Sequence, residues 1–276
     1  MAVNLASKYS SKVDERFKNK SFTEIAVNRD YEWTGVRSIS VFSVPTVAMG
    51  NYTMTGANRY GTPAELDNTK QDMIVTRDRA FTFTIDRRNH LDTQMTQEAG
   101  KALARQQDEV ITPEIDIYRL GVMSAAAVAA GGVSAATAIT ASNAYAQFLK
   151  GTEYLDNNSV PTGGRIAFVT PAFYNFIKLD PTFVKQSDTS QKIVASGLVG
   201  EIDGLKIIKV PANYLPANTP FLLTHKVATV AADKLEDYKT HDNPPGINGW
   251  LVEGRTVYDA FVLEQKKKAL YVHKTA

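Results

Sequence analysis

Asp108, Glu109, Glu114 and Asp116 form the first constellation in this chain whose types and spacing could support chemistry, as two carboxylates sharing general acid–base work. The same spacing around Pro113 also suits a helix N-terminus, where carboxylates favour the macrodipole and Arg105 and Arg119 lie within helical reach. The helical reading is the better one, because no nucleophile–base pair accompanies the acids. The four histidines, His90, His225, His241 and His273, are isolated, and none stands four residues from another as a helical metal site requires. Gly131-Gly132 and Gly163-Gly164 lack the surroundings of a Rossmann turn or a phosphate loop and read as turns. Ser134, in GVSAA, is not a nucleophile elbow, and Lys266 to Lys268 read as a solvated hairpin turn. No catalytic residue, cofactor site or metal site is therefore predicted. What remains is Arg77, Arg79, Arg87 and Arg88 interleaved with Asp72, Asp78 and Asp86. Such a mixed-charge surface can pair with a complementary neighbour and set register, which is the chemistry of an interface.

The element carrying those arginines alternates with period two. From Met73 to Ile85 one face holds Met73, Val75, Arg77, Arg79, Phe81, Phe83 and Ile85, so a long strand is predicted. With 51–59 as its partner across the tip 60–70, it reads as a projecting hairpin with no visible core of its own. Two strands alone are marginal in water, so the ribbon needs another surface, and a neighbouring copy of the chain is the nearest one. Composition agrees with a chain that works by contact. The 276 residues are 43% apolar, ample for a core, and 31 basic against 29 acidic side chains give +2, which disfavours tight direct DNA binding. Without cysteine there are no disulfides or thiolate metal sites, and neither an export signal nor a membrane span is visible.

Other elements follow from periodicity and punctuation. Residues 1–35 are mixed in charge and read as an arm, and Ile39 and Val41 alternate in an edge strand before Pro45. A long helix is predicted from Asp92, with Met95, Ala99, Ala102, Leu103, Val110 and Ile111 near one stripe, bent or divided at Pro113 and running on to Gly131. Beyond Ser134 the pattern is a compact alternation. It comprises a helix through Tyr145, Phe148, Leu149, Thr152 and Leu155, a strand at 165–169, a helix capped by Thr170-Pro171, and strands at 205–210 and 221–224. Long strands at 234–240 and 250–263 and a last one at 269–273 complete an α+β chain without internal repeats.

This order of parts resembles the major capsid protein of tailed bacteriophages, the Hong Kong 97-type coat fold. The stretches most similar to that family are DRAFTFTIDRRNHLDTQ, ITPEIDIYRL, GLVGEIDGLKIIKVPANYLP and TVYDAFVLEQKKKALYV. The resemblance implies an N-terminal arm at 1–47 and an extended loop at 48–90. It implies a peripheral domain with a spine helix at 91–130 and 231–265, and an axial domain at 131–230 and 266–276. It also implies a non-enzymatic shell subunit whose copies form hexamers and pentamers, tiling an icosahedral shell around double-stranded DNA touched only weakly and non-specifically. A separate scaffolding protein and a portal protein are the implied partners, the virion is the implied location, and assembly is in the host cytoplasm. Cellular nanocompartment shells are similar in fold and form the alternative, followed by a small-molecule enzyme with a site in the axial domain. Under the first reading the subunit interface is expected to use Arg77, Arg79, Phe81 and Phe83 in the loop, Phe17, Phe22, Tyr31 and Trp33 in the arm, and Arg105 and Arg119 in the spine.

Overall fold

The computed structural model describes residues 21–33, 38–44, 46–63, 65–88, 99–181 and 200–275. Its centre is a five-stranded sheet in the order β10-β7-β4-β6-β5, built from β4 (Arg165–Val169), β5 (Glu201–Ile202), β6 (Leu205–Lys209), β7 (Phe221–His225) and β10 (Leu270–Val272). Only β4 and β6 run parallel, joined by a crossover that includes helix α4 (Pro171–Leu179). Every residue of β4 is buried, because the sheet is covered on both faces. Ile166 and Phe168 meet Leu120, Met123 and Ala127 of helix α2 (Thr112–Ala129), while Ala167 and Val169 meet Phe148, Phe173 and Ile177. Phe148 lies on helix α3 (Ala144–Asn157), the Tyr145-to-Leu155 helix expected from the sequence. Thr170 caps α4 as its Thr-Pro pair predicts, its hydroxyl accepting from the Phe173 N–H at 3.3 Å.

A second sheet, β3-β9-β8, is formed by β3 (Arg77–Asp86), β8 (Thr229–Asp242) and β9 (Gly249–Val262), all antiparallel. Strand β7 passes almost directly into β8 through Lys226 to Ala228, and β9 returns to β10 through a 3-10 turn at Glu264–Ala269. Helix α1 (Ala99–Gln106) continues through a π-helical turn, Gln107–Ile111, into α2. That turn divides the helix just ahead of Pro113, where a bend or division is predicted. Pro113 has no N–H to donate, and its ring crowds the carbonyl four residues earlier, so the widened turn lies just ahead of it. The helix start expected at Asp92 lies outside the described residues.

The ribbon departs from expectation. It is broken at Val75-Thr76 into β2 (Thr69–Ile74), which pairs with β1 (Ser38–Ser43), and β3, which pairs with β9. The handover is pinned by Asp259, whose Oδ2 accepts from the Thr76 N–H at 2.9 Å and the Thr76 hydroxyl at 3.0 Å. Nor is the ribbon without a core, since Met73 and Val75 are buried with Trp33, Val230, Ala232 and Leu263. The segment 51–59 supplies no strand. Asn58, Gly56 and Gly61 adopt left-handed conformations that curl it into a small loop, with Thr53 N–H donating to Arg59 O at 3.1 Å and the Tyr52 and Tyr60 rings 5.0 Å apart. Its partner residues are too rich in turn formers to extend, a local cost that the period-two pattern of the other strand cannot reveal.

Candidate assembly surfaces

Charged side chains that sequence reasoning offered to a neighbour are first used inside the protomer. Asp116, on α2, is 1% exposed and accepts from the Ser21 hydroxyl at 2.7 Å and the Phe22 N–H at 2.8 Å, as well as from Thr23. It therefore ties the segment 21–33 to the helix. Arg119, one turn on, is 3% exposed and grips both oxygens of Asp233 at 3.1 and 3.2 Å and Glu24 at 3.4 Å. Arg29 closes the same cluster with Glu24 and with Asp233 at 2.7 Å. Asn28 adds backbone bonds to Thr229 and Ala231, so this part of the expected arm is built into the subunit.

Glu114 organises a second cluster. Its Oε1 receives Arg79 Nε at 2.8 Å, Arg77 Nη2 at 3.3 Å and the Tyr258 hydroxyl at 3.0 Å. The Arg77 guanidinium lies 4.2 Å above the Tyr118 ring, and the Tyr118 hydroxyl donates to Asp259 at 2.6 Å. Burial, reinforced by the Asp259 carboxylate, pushes the Tyr118 phenol up to about 12, and burial with the Glu114 bond does the same for Tyr258. Both phenols stay neutral donors, locking helix to sheet. Three of the four acids, Glu109, Glu114 and Asp116, thus have structural tasks, with Arg105 joined to Glu109 at 2.9 Å as helical spacing predicts and Arg119 turned to Glu24 and Asp233.

The expected interface residues consequently fall into groups. Trp33 is 3% exposed and stacks on Phe261 at 5.5 Å, Phe22 sets its edge against Tyr214, and Tyr31 is half-buried at the same core. Arg119 and Trp33 therefore have little surface left for a neighbour, and their shown contacts lie within the chain. Phe81 and Phe83 stack at 6.2 Å, and Phe81 also covers Gly254 beside Tyr238, yet both rings keep part of their surface in solvent. Arg79 and Arg105 are well exposed at their outer ends, Arg77 less so, and Phe17 lies outside the described residues. Sequence reasoning missed Asp116 and Asp259 as anchors. For Asp259 a signal existed, since it is the one carboxylate in the stretch Val257 to Leu263, apolar on both faces, and such a group is buried only with its donors.

The surface most at odds with water is the loop between β1 and β2. Met49 is fully exposed, Tyr60 is 91% exposed and Met54 83%, with Val44, Val47 and Leu66 also in solvent. An open groove of about 400 Å³ lies elsewhere, at the ends of β4 and β7, and is lined by no titratable side chain. Among the described residues no three acidic or histidine side chains are grouped to hold a metal ion, and no helix is long and apolar enough to cross a membrane.

The chain thus joins two sheets, a helix that contacts both, and a loop that leaves apolar side chains in water. The phage capsid protein family matches residues 69–272, and the chain belongs to that family. It is a structural shell protein of the virion that associates with copies of itself. Solved capsid folds agree over almost the whole length. A structure from Mycobacterium phage Che8 superposes with a TM-score of 0.74 at 16% identity, covering 99% of this chain and 98% of that one. The capsid of cyanophage P-SCSP1u gives 0.75 at 14% identity over 99% and 93%, and the mature capsid of bacteriophage PhiM1 gives 0.75 at 12% over 98% and 92%. No curated protein matches the sequence.

Proposed function

We propose that copies of this chain form hexamers and pentamers that close into an icosahedral shell around double-stranded DNA, without enzymatic activity. The observation that carries this reading is the exposed apolar loop, because a protomer that leaves Met49, Met54 and Tyr60 in water gains most by laying them on a neighbour. In this scheme 1–47 is the arm, 48–90 the extended loop, 91–130 with 231–265 the peripheral domain, and 131–230 with 266–276 the axial domain. The loop residues Arg79, Phe81 and Phe83 contribute their exposed parts, with Arg105 from the helix. Arg77, Phe22, Tyr31, Trp33 and Arg119 support those contacts by fixing the protomer's own shape, and Phe17 remains a candidate contact of the arm. A separate scaffolding protein and a portal complete assembly in the host cytoplasm, and DNA is met through weak, non-specific contacts. A net charge of +2 supports that weakness.

Electron microscopy of the purified chain, alone and with a scaffolding protein, tests this reading. Closed shells, rings or tubes are expected. A monodisperse monomer in both preparations overturns the proposal, and shells loaded with an enzyme instead of nucleic acid transfer it to a cellular compartment.

A further inference from the structure

The five-stranded sheet offers two unlike surfaces, a groove at one end of its strands and the edge strand β5, and their difference bears on how copies meet. At the β4 and β7 end the open groove is lined by Ile139, Phe173, Phe176, Pro216, Pro220 and Thr275. It sits at the end of the sheet remote from the three-stranded one: Phe221 starts β7 beside it, and His225 at the other end leads on to β8. Beside the groove Lys274 extends its Nζ to the Thr219 hydroxyl at 2.7 Å and the Ala217 carbonyl at 3.5 Å, both neutral acceptors. No carboxylate pairs with it among the described residues. Burial presses the Lys274 ammonium below its ordinary value, a cost that an incoming carboxylate would relieve. Among the described residues β5 is an edge strand of the same sheet. Glu201 and Asp203 are exposed there on either side of the buried Ile202, and neither forms an ion pair among the described residues. Asp203 and Gly204 make the tight left-handed turn that presents the pair.

We infer that the groove beside Lys274 receives the β5 edge of a second copy of this chain, Lys274 meeting Glu201 and Asp203. The contact joins two different patches of one chain, so repeated copies close into a ring when the rotation permits. A lining without titratable side chains fits a contact surface. The inference rests on the shell reading above and gives it a specific subunit contact.

Charge reversal on the full-length chain tests it. Lys274→Glu, and separately Glu201→Lys with Asp203→Lys, should raise the concentration needed for ring or shell assembly by about tenfold. Native mass spectrometry and light scattering read assembly, while the thermal midpoint of the monomer reports folding. The second variant leaves the groove untouched, so its loss of assembly cannot arise from a damaged groove. Combining all three reversals should restore assembly, and Ile139→Trp, which fills the groove away from the charges, should abolish it. Normal assembly by either reversed variant, or failure of the combination to rescue folded protein, overturns the inference. Failure of the unaltered chain to form any ring or shell overturns the shell reading itself.

Discussion

Asp116 shows how much one buried carboxylate can decide, since it alone collects donors from three consecutive residues of the N-terminal segment. Asp116→Ala leaves those donors buried without a partner, and bonds to a charged acceptor contribute about 1.5 to 3 kcal/mol each. The expected result is a monomer destabilised by at least about 2 kcal/mol in urea unfolding and cut by protease near Ser21 under native conditions. His273 makes a second prediction. It is wholly buried, stacks on Phe221 at 5.1 Å, and its Nε2 lies 2.9 Å from the Thr137 carbonyl, so that nitrogen carries the proton and donates. Among the described residues Nδ1 has no partner, and burial, aided by the Lys150 charge, depresses the imidazolium below its ordinary 6.5. A depressed folded value means that the neutral form is favoured by folding. Stability is therefore full above the unfolded value and lost as pH falls through and below 6.5. His273→Gln, which keeps a donor for Thr137, should flatten that acid limb in a series of thermal melts.

At the scale of elements, the central alternation was legible because its punctuation is local: Thr170-Pro171 caps a helix and Pro113 disturbs one wherever the chain goes. The ribbon was only half legible. Its period-two pattern placed Met73, Val75 and Ile85 on the buried face correctly, but nothing near Thr76 in sequence announces Asp259, 183 residues away, which divides the strand. The attachment of residues 21–33 was not legible for a related reason, because their partners lie on α2, β8 and β9. The loop invites excision. Joining the chain between residues 45 and 67 keeps Thr69 paired with Ser43, so the protomer should fold with an unchanged melting temperature yet fail to assemble stably in size-exclusion chromatography. Retained assembly would remove the loop from the interface. Strand pairing has its own test at Gly254, where an added Cβ would lie 2.2 Å from the Phe81 ring. Gly254→Ala should cost about 1 to 3 kcal/mol in urea unfolding, and adding Phe81→Ala should recover part of it, since the overlap disappears with the ring.

For the whole molecule the balance of forces sets the solution behaviour. A chain near charge neutrality with a water-exposed apolar loop should assemble more readily in sulfate than in chloride of equal ionic strength, because excluded anions favour burial of apolar surface. Light scattering during assembly in the two salts checks this, and the opposite order would make charge pairing the larger contribution. The passage of β7 into β8 has a mechanical consequence. Tension between the two ends of the subunit runs along continuous backbone, and β8 is held to β9 from Thr229 opposite Val262 to Asp242 opposite Trp250. Force directed along those strands loads the cross-strand bonds in shear, together, so the subunit behaves as a strap that yields only when many bonds fail at once.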